Sequence, residues 1–446
     1  MPRAKTAPLP ATTSLPAPNS PGKTGKPAGP ANFPVAMISR RAADRLHARH
    51  VWVYRTDIET LLPADGSDDV PPGSLVAVQD HRGAPLGTAL YSSSSMIALR
   101  LISHDAILTR SAFLDLIRER LQQSFRLRVQ LLENTVGTNA CRLVFSEADA
   151  LPGILIDRYG ELVILQLLTQ ATHADDVRAT VVVALREAFD SSSIASIVER
   201  PDPRICELEQ LGPSPSEPLY TRTPEQPLRQ TFFQLNGLRF LYDVDAGQKT
   251  GAFLDQRENY AAAASYAQGR ALDICTYQGG FALHLARVCP QVTGVDASRA
   301  ALEVAERNLV ENQNQLLDNG RGVEWIEANA FDLLRDWSDA DERFDTIVLD
   351  PPAFAKSKRA MEGALRGYKE MNLRALKMLQ PGGTLITCSC SHHVSLADFT
   401  AVIAAAAVDA GRRVRLLETR GAALDHPAIL TIPETQYLKC LICRVE

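Results

Sequence analysis

The chain has 446 residues, enough for about three domains at roughly 150 residues each, and is 45% hydrophobic and 22% charged. That composition excludes a wholly disordered chain, and the longest nearly apolar run, residues 401–408, falls far short of the ~20 residues of a bilayer span. A net charge of −5, taken at face value, argues against a nucleic-acid binder, which usually presents a basic surface.

Residues 1–34 are rich in Pro, Ala, Ser, Thr and Gly, with Arg3, Lys5, Lys23 and Lys26 and no acid, so a flexible basic arm is expected. It has no apolar segment of the signal-peptide kind, and eight prolines by Pro30 break any amphipathic transit helix. Residues 35–104 read as short strands separated by Asp65-Gly66, Pro72-Gly73 and Arg82-Gly83 turns, which predicts a small β-barrel. Residues 105–228 read as a central α/β domain: a helix over 107–128, strands near 143–147, 153–157 and 162–168, a helix over 175–189 and a strand at 194–199. A proline-rich loop closes that domain. Residues 229–446 then open with a hairpin over Asn236-Gly237. From Asp255 onward strands and helices alternate, which predicts a mostly parallel, doubly wound sheet that binds ligands at the carboxyl ends of its strands.

Chemistry concentrates at those ends. Asp273 closes the first strand, and the Cys275-Thr276-Tyr277-Gln278-Gly279-Gly280 turn leads into a helix whose amino end faces the loop. The glycines allow close approach of a nucleotide-like ligand, although the turn lacks the G-x-G-x-x-G phosphate fingerprint. Asp296, 23 residues beyond Asp273, closes the next strand, where an acid can hold both ribose hydroxyls. A largely apolar strand ends in Asp350-Pro351-Pro352-Ala353-Phe354, whose prolines fix a rigid rim. The following strand ends in Cys388-Ser389-Cys390-Ser391, placing thiols across the same crevice. With side chains alternating, Cys388 and Cys390 both could reach it. Cys440 and Cys443, in a strand over 438–445, face opposite sides and lack a second pair, so buried thiols are expected there rather than zinc. No metal site is expected anywhere.

The stretches Gly247-Gln248-Lys249-Thr250-Gly251, Leu254-Asp255-Gln256-Arg257, Tyr277-Gln278-Gly279-Gly280-Phe281, Asp350-Pro351-Pro352-Ala353-Phe354, Arg366-Gly367-Tyr368-Lys369 and Ser389-Cys390-Ser391 resemble the family of bacterial 23S rRNA large-subunit methyltransferase I. The resemblance extends from about residue 36 to the end. It implies an RNA-binding PUA barrel, a central α/β domain and a Rossmann-like class I methyltransferase domain that uses S-adenosylmethionine to make 5-methylcytosine in 23S rRNA.

For the cofactor, the resemblance implies Phe253, Asp255, Gln256, Arg257, Asp273, Cys275, Tyr277, Gly279, Gly280, Asp296, Asn329, Ala330 and Asp350. Cys390 matches the nucleophile position, and Asp350 is expected to hold the base edge. Pro351, Pro352, Phe354, Lys356, Lys358, Arg366 and Lys369 are expected to contact RNA. Residues 353–380 carry seven Lys/Arg against two Glu, a local positive stretch that offsets the global charge.

The sequence departs from related cytosine-5 enzymes at Ala353, where a second cysteine often stands. The base that removes the C5 proton is therefore unassigned, with water or Asp350 as candidates. Asn329 stands in place of an acid. An amino-group methyltransferase using Asp350-Pro351-Pro352 without a thiol, or an RNA-binding scaffold with an inactive domain, are the competing readings. A cytoplasmic location, a single-stranded or flipped cytosine as target and a possible homodimer complete the expectations.

Overall fold

The computed structural model describes residues 32–64, 66–107, 109–245, 252–316, 322–355 and 358–446, with Lys358 described by its backbone. The arm up to residue 31, the Gly247–Gly251 motif and Lys356 lie outside them.

The first sheet has six strands, and its two edge strands, Trp52–Tyr54 and Ile58–Leu62, are consecutive in the chain. Only the 3-10 turn Arg55–Asp57 joins them, and three residues span at most ~10 Å, so the sheet curls round on itself as a barrel. A helix that the strand pattern did not predict, Arg40–His47, packs Ala42, Ala43 and Leu46 into its core.

The second sheet has five strands, beginning with Ala140–Phe145, Ile154–Tyr159 and Leu162–Leu167. Helices Arg110–Leu132 and Asp175–Ala188 cover its apolar face.

The third sheet carries the site, and its elements are numbered here. Its strands are β1 (Arg270–Ile274), β2 (Gln291–Asp296), β3 (Gly322–Glu327), β4 (Phe344–Leu349), β5 (Leu379–Ser389), β6 (Val414–Arg420) and β7 (Lys439–Val445). The helices are α1 (Arg257–Tyr266), α2 (Gly280–Leu285), α3 (Arg299–Glu311), α4 (Ala330–Asp339), α5 (Met361–Met378) and α6 (Leu396–Asp409), with a single turn, Gln313–Leu316, after α3.

Strand order is β3-β2-β1-β4-β5-β7-β6, with β7 antiparallel to both neighbours. β1 and β4 are almost wholly buried, as strands covered by helices on both faces must be. Caps fix where helices begin: Ser298 for α3, Asn329 for α4, and a Ser395/Asp398 capping box for α6. The chain leaves β1 toward β2 on one side while β4 lies on the other, so the direction of winding reverses between β1 and β4. Ligands of such sheets sit at that point.

The hairpin Gln230–Leu235 and Leu238–Asp243 turns through Asn236 (φ 52°) and Gly237 (φ 83°), both left-handed as a tight two-residue turn requires. Asn308 on α3 and Asn312, the residue that caps its carboxyl end, satisfy the hairpin's edge by accepting from Leu241 N and Arg239 N at 2.8 and 2.9 Å. One continuous core joins Tyr159, Leu162 and Val198 of the second sheet, Phe233 and Phe240 of the hairpin, and Leu283 and Ile442 of the third.

Candidate active site

The loop after β1 is held in an uncommon conformation. Cys275, Tyr277 and Gly279 have φ of 65°, 52° and 86°. Two of these are not glycine, a local cost of roughly 1–3 kcal/mol each that persists where the surroundings enforce it. The enforcement comes from two acids. Asp296 Oδ2 accepts from Tyr277 N at 2.9 Å, and its Oδ1 accepts from Ser298 N at 2.8 Å. Asp273 Oδ2 accepts from Thr276 Oγ1 at 2.5 Å and from Ala282 N at 2.9 Å, clamping the loop to the first turn of α2. Asp273 is fully buried, its Oδ1 has no partner among the described residues, and burial raises its pKa to about 7.

Above this loop lies a cleft that opens to solvent. Of the residues expected around the cofactor, Phe253, Cys275, Tyr277, Gly280 and Asp350 line it. Phe233, Leu235, Phe240 and Tyr260 line it as well and were not anticipated; the alternation of Phe233 and Leu235 along one hairpin strand is the signal that could have found the first two. A Cβ on Gly280 would stand 2.5 Å from Tyr260 Cζ, so only glycine lets the loop sit this close.

These features fit S-adenosylmethionine. Aromatic walls suit a purine, carboxylates suit a ribose diol and a cationic sulfur, and each oxygen of Asp296 keeps acceptor capacity beyond the one backbone bond it makes.

The second half of the site is built on β4 and β5. Leu349 pairs with Thr387 in register, so the residues that follow each strand emerge side by side. Asp350 N bonds Ile274 O at 3.2 Å, tying the rim to β1. Cys390 Sγ lies 3.9 Å from Pro351 O. Around the thiol, Ser389 Oγ donates to Tyr368 Oη at 2.9 Å, Tyr368 Oη and Ser391 Oγ are 2.9 Å apart, and Ser391 Oγ accepts from Ala355 N at 3.2 Å. Both serines and Tyr368 are buried, so the flanks of Cys390 are fixed while Cys390 itself is only partly buried.

Several expected residues are engaged elsewhere. Arg257, 1% exposed, donates to both oxygens of Asp425 at 2.9 and 3.1 Å, so its side chain is spent in a buried ion pair and does not reach the cleft. Gln256 is buried and accepts from Asn259 Nδ2, while Asp255 Oδ2 accepts from Tyr437 Oη at 2.5 Å. Asp273 supports the loop from beneath rather than forming a wall. Asn329 Oδ1 already accepts from Phe331 N and Asp332 N as the cap of α4, so it is committed to the helix and not waiting for an adenine. Ala330 is the first residue of α4.

On the rim, Pro351 is buried and Pro352 exposed. Phe354 turns inward against Tyr368 (4.8 Å between ring centres) and over Gly367, which makes it an anchor of the rim rather than an RNA platform. Arg366 pairs with Glu362, and Lys369 with Asp409 at 2.7 Å, so the positive stretch is partly neutralised. Cys388 does not reach the crevice: it is fully buried opposite Cys440, and burial pushes its thiol up. Cys440 and Cys443 enter different cores on the two faces of β7. Among the described residues no group of three or more His, Cys, Asp or Glu side chains could hold a metal, and no helix is long and apolar enough to cross a membrane.

The strand order, the left-handed loop at the point where the winding reverses and the acid-edged cleft define an S-adenosylmethionine-dependent methyltransferase. Residues 220–423 match the S-adenosylmethionine-dependent methyltransferase family, and residues 37–104 match the PUA-like domain. The chain is 37% identical over 417 residues to ribosomal RNA large subunit methyltransferase I of Klebsiella pneumoniae (strain 342), covering 93% of this chain and 98% of that one. For the protein of the same name from Salmonella arizonae the identity is 35% over 416 residues, with the same coverage. The chain therefore belongs to the ribosomal RNA large subunit methyltransferase I family.

The fold is shared with a candidate S-adenosylmethionine-dependent methyltransferase from Streptococcus mutans (TM-score 0.74, 18% identity, 92% of this chain and 99% of that one). A solved candidate methyltransferase complexed with SAH superposes with the same TM-score at 19% identity, covering 92% and 99%.

Proposed function

We propose that this chain methylates C5 of a cytosine in large-subunit ribosomal RNA, with Cys390 as the covalent nucleophile. The observation that carries this reading is the placement of the Cys390 thiol against the Pro351 carbonyl, on the rim that Asp350 shares with the cofactor cleft. The names of the relatives and the PUA-like domain support ribosomal RNA as the substrate.

C5 of cytosine is a poor nucleophile until C6 has been attacked. Cys390 loses its proton and forms an Sγ–C6 bond, which breaks the C5=C6 π bond and moves its electrons to C5. Asp350 accepts from the base edge and holds the ring in the plane fixed by Pro351 and Pro352. When bound, S-adenosylmethionine would supply the electrophilic methyl group that C5 takes up, its sulfonium leaving as a neutral thioether. Loss of the C5 proton to water or Asp350 then drives out Sγ and restores the double bond. A base buried in a duplex cannot present both faces this way, so the target is single-stranded or flipped.

RNA carrying 5-fluorocytosine tests the reading. The expected result is a protein–RNA adduct that survives denaturing gels and maps to Cys390. An adenine- or amide-directed enzyme would transfer methyl groups yet trap nothing, and that outcome would overturn the assignment.

A further inference from the structure

Lys439 opens β7, directly opposite Ser389 in the β5–β7 register, and its side chain is buried. Its Nζ donates to Ser391 O and to Tyr437 O, each at 2.7 Å. Among the described residues no carboxylate pairs with it. A buried ammonium held by two backbone carbonyls is costly without a negative charge nearby, and Lys439 and Cys390 interact electrostatically.

Other titratable groups face the same corner of the site. Asp350 stands at the end of β4, and Cys388 is a neutral buried thiol. Tyr368 on α5 and Tyr437 before β7 both have raised pKa values, chiefly through burial, and Tyr437 donates to Asp255 while Arg142 faces it from the second sheet. His392 stacks on Tyr437 at 5.3 Å and meets Glu434 O; desolvation and the nearby Lys439 and His393 charges hold its pKa below the ordinary value.

We infer that Lys439 is a positioning residue that holds Cys390 in its thiolate form, its ammonium fixed on the carbonyl of the very next residue, Ser391, and on that of Tyr437. The proton leaving Sγ passes to water, and the anion left behind takes the place of the missing counter-ion. Burial lowers the Lys439 pKa to about 8, which keeps the side chain mainly protonated at neutral pH. An opposite charge within about 4–6 Å lowers an acid's pKa by about 1–3 units, and a thiolate is the form that attacks. This inference rests on Cys390 being the nucleophile.

Alkylation of the full-length protein by iodoacetamide, followed residue by residue with peptide mass mapping, tests it. In Lys439→Met the pH of half-maximal Cys390 alkylation is expected to rise by about one unit or more, so that the rate at pH 7 falls about tenfold, with Lys439→Arg restoring the original midpoint. A properly folded Lys439→Met protein with an unmoved midpoint overturns the inference. Should that variant not fold, the reciprocal measurement decides: the Lys439 ammonium, followed by nitrogen-15 lysine NMR, is expected to titrate lower in Cys390→Ala than in the parent. An unchanged titration sinks the idea. Neither readout uses RNA or methyl transfer, so a failed 5-fluorocytosine trap with a shifted midpoint would remove the nucleophile assignment alone.

Discussion

Cys390 Sγ and the Pro351 carbonyl oxygen are 3.9 Å apart although 39 residues separate them in the chain. Neighbouring parallel strands do this: Leu349 and Thr387 pair in register, and each strand delivers its next few residues to the same edge.

Cys390→Ala should therefore abolish methyl transfer to RNA while leaving S-adenosylmethionine affinity unchanged, because Cys390 is absent from the cleft wall. Calorimetric titration of the cofactor beside a tritium-transfer assay checks both halves. Full activity would remove Cys390 from the reaction.

Gly280→Ala should weaken cofactor binding. The new Cβ falls 2.5 Å from the Tyr260 ring, which is itself pinned by Phe281 at 4.7 Å and His284 at 5.2 Å between ring centres. Overpacking of this kind costs about 1–3 kcal/mol, so a rise of about tenfold or more in the cofactor Kd is expected, read by the same calorimetry.

Arg257→Ala should destabilise the protein rather than impair binding directly. Removing one partner of a buried pair costs about 3–5 kcal/mol, since Asp425, fully buried, would lose its guanidinium and keep only His426 and the Arg142 amide. Chemical unfolding measures the loss, and a change under about 1 kcal/mol, the scale of an exposed pair, would contradict the clamp.

Asp273 gives a signed pH dependence. Its carboxyl holds the proton more tightly folded (about 7) than at its ordinary value of 3.8. Its contribution is therefore complete below about pH 4, is lost as pH rises toward 7, and is flat above. Asp273→Asn carries no such titration, so the difference in unfolding free energy between parent and variant should shift against the parent by a few kcal/mol between pH 4 and 7. A constant difference across that window would refute the burial effect.

RNA affinity should fall steeply with salt, and the barrel helix should matter more than α5. Arg40 and Arg41 are exposed, whereas Arg366 and Lys369 are already paired with acids. Reversing both Arg40 and Arg41 to Glu should lower the slope of log affinity against log salt by about two, with a smaller change for Lys369→Glu. Filter binding from low to moderate salt distinguishes them.

Much of the site was legible because its signals are local. The Tyr277–Gly280 loop, the Asp350-Pro351-Pro352 rim and Ser389-Cys390-Ser391 each follow a short apolar strand, and strand ends can be read from composition. The capping box Ser395/Asp398 ahead of the apolar run 401–408 is an equally local signal for the start of α6. The buried pairing of Arg257 is not legible in the same way, because its partner lies 168 residues away and a motif match says nothing about a distant carboxylate. The same holds for Lys439, which comes near the Cys390 segment only once β7 has inserted antiparallel beside β5. The helix Arg40–His47 was hidden by its own charge, since only Ala42, Ala43 and Leu46 face inward.

The core that runs from Tyr159 and Val198 through Phe233 to Leu283 and Ile442 bears on how the gene can be cut. A fragment starting at residue 229 would carry the whole catalytic sheet, yet it would expose the face of the hairpin that Tyr159 covers, including the Tyr242 ring stacked on it at 4.0 Å. Such a fragment should aggregate instead of working as a portable methylating module. Useful fusions and swaps belong at the barrel or the amino-terminal arm, upstream of the unit that must fold in one piece.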